Sequence, residues 1–196
     1  MPGPSRGGVD LNSERVEKLR KALKDVSPPV RQAAARALER LEAKQNVERF
    51  AAVLKGDDKV ARVRAVYALG EIATEEALRP LVAALSDPVH DVRCAAIRVV
   101  GEIHEPRTLG PLFDLLDDPD ASVRALAIEA LGHFRDKRLA DSFLAHLSTN
   151  DTEVLRRVVT ALGLLGEARA EGSLVKLLDH PEADVREAVA TALGEV

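Results

Sequence analysis

The side chains of this chain best suited to chemistry are its arginines, and five of them share one register. Arg31, Arg62, Arg93, Arg124 and Arg186 are spaced by 31 residues or a multiple of it, and Leu155 fills the remaining position. A row of guanidiniums could hold phosphates or acidic peptides, because each presents a planar fork of donors. The same fork could instead tie loop carbonyls to a carboxylate of its own or the next unit and so act as frame. The interruption at Leu155 argues for frame over a continuous anion track. Asp87, Asp91, Asp118, Asp120 and Asp184 supply acids close to these arginines.

Other chemistry is poorly supplied. The five histidines, His90, His104, His133, His146 and His180, fall in different registers, whereas catalysis and metal binding need groups that converge. His104-Glu105 is a lone imidazole–carboxylate pair in a turn after Ile103. Cys94 is the one cysteine, which leaves no internal disulfide and no cysteine cluster for zinc. It occupies a variable position and reads as an inert, partly exposed thiol. No phosphate-binding loop or nucleophile arrangement is present. The expectation is a chain without catalytic residues, metal or cofactor, and not an enzyme.

Composition sets what must position these groups. Of 196 residues 46% are apolar but only 3% aromatic, so the core is Leu, Ala and Val, which suits tightly packed helices. The net charge of -4 is uneven: residues 1–98 carry +4 and residues 99–196 carry −8. Such an asymmetry can orient a partner electrostatically. Neither half has the concentrated positive charge of a nucleic-acid protein. MPGPSRGG lacks the apolar stretch of a signal peptide, and no run approaches a membrane span. The reading is a cytoplasmic protein with a disordered leader over 1–12.

The arginines belong to a larger period. Glu39, Gly70, Gly101, Gly132, Gly163 and Gly194 recur every 31 residues, as do Leu23, Leu54, Leu85, Leu116, Leu147 and Leu178. Each unit holds two amphipathic helical patterns. The first runs through stretches such as LRPLVAALSDP and LGPLFDLLDDP, and Pro88, Pro119 and Pro181 follow it. The second carries Val92, Ala96, Val99, Val100 and Ile103 on one side. Asp91, Ser122, Glu153 and Asp184 stand where a cap for this second helix is expected. Such pairs bury their apolar stripes only by stacking. The prediction is an all-α fold, an alpha-alpha superhelix of six two-helix repeats within one domain over 13–196. The units fall at 13–41, 42–72, 73–103, 104–134, 135–165 and 166–196.

The DxxVRxxAxxALG plan, preceded by a PLxxLL-like helix, resembles the HEAT repeat. More narrowly, it is similar to the short HEAT-like units of phycobilisome lyases. Val30-Arg31, Val92-Arg93, Val123-Arg124, Val185-Arg186 and the Leu-Gly pairs carry the resemblance, which departs from plan at Ala61-Arg62, Val154-Leu155 and Glu39. It implies a fold that hosts scaffolds, adaptors and a few enzymes. The HEAT-like deoxyhypusine hydroxylase needs several His-Glu pairs, against one here. The HEAT-like DNA glycosylases need aromatic residues that a chain without Trp and with one Tyr does not supply.

A binding surface is expected on exposed positions that vary between units. The second helices, which the resemblance places on the concave side, carry Arg36, Arg64, Tyr67, Arg98, Glu129 and Arg157 at such positions. Tyr and Arg combine contact area with directed donors. The expected function is a non-enzymatic protein–protein interaction scaffold or adaptor whose partner is a protein or peptide of acidic character. The alternative is the substrate-recognition or accessory region of a larger modifying enzyme, lyase-like or hydroxylase-like. Nucleic acid and membrane are not expected partners. A monomer is expected, with end-to-end association open. Arg31, Arg62, Arg93, Arg124, Arg186, Gly70, Gly101, Gly132, Gly163 and Gly194 are the structural residues of the repeat.

Overall fold

The structure, a computed structural model, describes residues 11–196. Residues 1–10 of the expected leader lie outside the described residues, and Leu11 opens the first helix. Eleven α-helices and four short 3-10 segments follow, with no strand among the described residues. The chain divides into two compact units, Met1–Arg49 and Phe50–Val196.

In the first unit lie α1, which spans Leu11–Ala22, and most of α2, which spans Pro28–Val53. The sequence pattern places a unit boundary at 41/42, yet α2 runs through it as one 26-residue helix. The reason lies in LERLEAKQNVERF, which has strong helix formers and neither Gly nor Pro to stop the helix. Glu39, where later units have glycine, is part of the same uninterrupted run. Arg31 is exposed and donates through Nη1 to the carbonyls of Asp25 and Val26 at 2.8 and 3.1 Å.

The second unit alternates two layers. Helices α3 (Lys59–Ile72), α5 (His90–Ile103), α7 (Ala121–His133), α9 (Thr152–Leu165) and α11 (Ala183–Leu193) form one layer. Against them pack α4 (Glu75–Ala84), α6 (Leu109–Phe113), α8 (Ala140–His146) and α10 (Glu171–Leu177). Single 3-10 turns at Pro106–Thr108, Lys137–Leu139 and Ala168–Ala170 lead into the last three of these.

The core repeats with the sequence. Leu81, Leu112, Phe143 and Leu174 occupy one register between the layers and are fully buried, and so do Val92, Val123, Val154 and Val185. Burying each such side chain contributes about 1.5–3 kcal/mol relative to exposure. The α3–α5–α7–α9–α11 layer is drawn together at its glycines. A Cβ on Gly101 would sit 3.1 Å from Ala130 Cβ, one on Gly132 3.0 Å from Ala161 Cβ, and one on Gly163 2.9 Å from Ala192 Cα. Helices α3 and α5, α5 and α7, α7 and α9, and α9 and α11 all pack directly. No two helices of the other layer pack on each other to a similar extent, so the glycine layer, called the inner layer below, is the more closely packed of the two.

The N-cap residues fall two positions before the expected caps, at Val89, Asp120, Asp151 and Glu182. Asp58, Asp120 and Asp151 are the capping residues, and each side chain accepts from a backbone N–H of the first turn. Asp91, Ser122, Glu153 and Asp184 lie inside the helices they were expected to cap. A carboxylate needs a non-helical backbone to turn back onto the N–H groups, and Asp58, Asp120 and Asp151 hold that extended conformation at the end of the loop.

Candidate protein-interaction face

The frame arginines converge on loops. Arg62 is buried and clasps Asp87, with Nε to Oδ2 at 2.9 Å and Nη2 to Oδ1 at 3.1 Å. Its Nη1 donates to the carbonyls of Gly56 and Asp57 at 2.8 and 3.1 Å. Arg93 repeats the arrangement one unit on, reaching the Asp87 carbonyl and Asp118 Oδ1, both at 2.8 Å. Each guanidinium thus joins the loop before its own helix to the loop of the next unit.

The pattern fades where acids run out. The position of Asp87 and Asp118 is filled by Thr149 and then His180. Arg124 still holds the carbonyls of Asp118 and Pro119 at 2.7 and 3.1 Å, but its nearest acid is Asp151 at 3.9 Å. Leu155, which has no acid ahead of it, is buried in the core. Arg186 donates to the carbonyls of His180 and Pro181 at 2.6 and 2.7 Å. With Arg62, Arg93, Arg124 and Arg186 all turned into loops, the row offers no track of free guanidiniums.

The exposed face of the inner layer is differently placed. Arg64 and Tyr67 on α3 and Arg98 on α5 are exposed, and none makes a side-chain hydrogen bond or ion pair among the described residues. The neighbouring candidates hold each other instead. Arg157 Nη1 lies 2.7 Å from Glu129 Oε1, and its Nε donates to Glu153 Oε1 at 2.8 Å. Glu153 also takes Arg156 at 2.7 Å. Burial pushes the Glu153 carboxyl up, but the two arginines outweigh it and hold it below the ordinary glutamate value. The sequence pattern did not signal this cluster, because Glu129 and Arg157 meet across two helices. Arg36 belongs to the first unit, where it is exposed on α2 with Nη2 at 3.5 Å from Gln32 Oε1.

Two grooves open on this face of the second unit. One, of about 420 Å³, lies between α5 and α7 and is lined by Arg98, Glu129, Leu126, Glu102 and His133 among others. The second, of about 570 Å³, runs between α9 and α11 beside Thr160 and Thr191. His104 stacks on Phe134 with ring centroids 5.0 Å apart and lies 6.3 Å from the His133 ring. Among the described residues, no group of three or more His, Cys, Asp or Glu is placed to hold a metal ion. The Cys94 thiol is half-buried, and burial pushes its pKa above the ordinary thiol value.

HEAT repeats match over residues 16–93, 78–158 and 140–196. The chain belongs to the HEAT-repeat family. The structure of the complex of CpcE and CpcF of phycocyanin lyase from Nostoc sp. PCC7120 is similar to it, with 26% identity and a TM-score of 0.67. That match covers 76% of this chain and 64% of the other. The YIBA protein of E. coli resembles it at 22% identity and a TM-score of 0.61, over 97% of this chain and 72% of that one. An engineered protein matches at 22% identity and a TM-score of 0.56, over 92% and 95% of the two chains. These last two likenesses concern the fold. No curated protein matches the chain significantly in sequence. No helix among the described residues is long and apolar enough to cross a membrane.

Proposed function

We propose that this HEAT-repeat protein is a non-enzymatic scaffold or adaptor that binds a partner protein through the inner helix layer of its second unit. The observation that carries the reading is the contrast between two sets of arginines. Arg62 and Arg93 are engaged by loops, while Arg64, one helical turn from Tyr67 on α3, and Arg98, on the adjoining α5, are exposed and unpaired. Unpaired arginines next to an exposed aromatic are the groups from which interface hot spots are built. Their charge suits a partner surface bearing carboxylates.

The test is capture of partners from the native cell by the intact chain and by the Tyr67→Ala/Arg98→Ala variant. Both chains should melt alike, and the partner should be lost from the variant. Equal recovery by the two would refute this surface. The likeness to the CpcE–CpcF complex supports a second reading, in which the chain is the recognition part of a larger modifying assembly. Under that reading the recovered partner is itself a modifying enzyme or carries a modification that disappears when the gene is deleted.

A further inference from the structure

The α5–α7 groove carries an order of groups that the repeat does not require. Its floor is apolar: Ile97 and Ala130 are buried and Leu126 is half-buried. Arg98 stands at one side, and Glu102 lies one helical turn further along α5. Both are exposed, and neither side chain has a hydrogen bond or ion pair among the described residues. Glu129 also lines the groove, but Arg157 holds its carboxylate at 2.7 Å. Along α5 the groove therefore presents a cation and, one turn on, an anion, beside an apolar floor shared with α7. Its volume of about 420 Å³ accommodates an aliphatic side chain with its flanking backbone.

His104, which closes α5 and lines the groove, has a left-handed backbone with φ 53. Ala73, Arg135 and Gly166 take the same conformation at the corresponding helix ends, with φ 48, 51 and 60, so the turn belongs to the repeat and His104 is the side chain that it sets on this rim.

We infer that the α5–α7 groove docks a peptide segment of a partner protein that carries an aliphatic side chain between a carboxylate and a cation. The carboxylate pairs with Arg98, the aliphatic group fills the hollow over Leu126, and the cation pairs with Glu102. Because the two charges differ in sign, the order also fixes the direction in which the segment lies. A nucleic acid, a uniform polyanion, would meet Glu102 and Glu129 in the same groove. The inference rests on the partner-binding reading above and narrows it to one groove and one motif.

Phage-displayed random dodecapeptides selected on the immobilised full chain provide the test, with the recovered peptides synthesised and their binding measured by fluorescence anisotropy. The expected motif places Asp or Glu, then Leu, Ile or Val, then Lys or Arg. Leu126→Arg, which plugs the hollow, should weaken those peptides by at least about tenfold, as truncating a hot spot does. Thr191→Arg in the α9–α11 groove should leave them unchanged. Selection on Arg98→Glu, an exposed substitution that the fold tolerates, should replace the acid of the motif by Lys or Arg. Absence of the motif, or peptides that bind Leu126→Arg and Arg98→Glu as well as the parent, would overturn the inference. Peptides indifferent to both groove variants but weakened by Tyr67→Ala would do so while leaving the broader face intact. Indifference to all three would remove both readings.

Discussion

Replacing Arg62 should cost more than any surface substitution, and the structure says how much. Both side chains of the Arg62–Asp87 pair are 8% exposed, and the guanidinium makes four hydrogen bonds to Asp87, Gly56 and Asp57. Removing one member of a buried pair leaves the other charge desolvated and alone, at a cost of about 3–5 kcal/mol. Replacing both members with groups of fitting shape is far milder. Each position accepts a neutral residue in another unit, with Leu155 in the arginine position of one pair and Thr149 in the aspartate position of the pair before it. Thr149 Oγ1 even accepts from the Asp151 N–H at 3.2 Å, as Asp87 Oδ1 does from Val89 at 2.9 Å. Urea unfolding followed by helical circular dichroism of Arg62→Leu, Asp87→Thr and the double variant forms a thermodynamic cycle. Each single change should cost about 3 kcal/mol or more, and the double should cost far less than their sum. Single changes costing under about 1 kcal/mol and adding within about 0.5 kcal/mol would refute the frame role of the arginine series.

Further expectations come from the backbone and the inner layer. Gly163→Ala should lower stability by about 1–3 kcal/mol, because its Cβ meets the Ala192 backbone at 2.9 Å. Gly110→Ala and Gly172→Ala, with open space around them, should instead stabilise their helices by about 0.5–1 kcal/mol in the same assay. Ala73→Gly should raise the melting temperature, since Ala73 is left-handed with φ 48 and relief of that conformation contributes about 1 kcal/mol. The Glu153 carboxyl titrates below its unfolded value in the folded chain. Its contribution to stability is therefore complete above the unfolded glutamate pKa and falls away as pH drops through the lower, folded one. Glu153→Gln should flatten the acid limb of a melting-temperature profile, whereas an unchanged limb would remove the cluster from the account.

The sequence made the architecture legible because packing repeats with it. Leu85 and Leu116, and Gly101 and Gly132, meet equivalent neighbours one unit apart, so the same residue types return at the same step. Details that depend on one unit alone were less visible. The unbroken α2 follows from the absence of any stop signal near Glu39, a fact about what is missing. The left-handed helix ends recur at Ala73, His104, Arg135 and Gly166, but only the last has the residue type that announces such a turn. Arg64, Tyr67 and Arg98 stood out as letters that the repeat does not dictate. The Arg157–Glu129 pair and the charge order of the α5–α7 groove needed two helices side by side before they could be seen.

Under the proposed function the partner sits on the inner layer of the second unit. Hydrogen–deuterium exchange of the full chain, alone and with the recovered partner, tests it directly. The expected result is protection confined to peptides from α3, α5 and α7, residues 59–72, 90–103 and 121–133, and its loss with Tyr67→Ala/Arg98→Ala. Protection confined to α4, α6, α8 and α10, with those three helices unchanged, would contradict it.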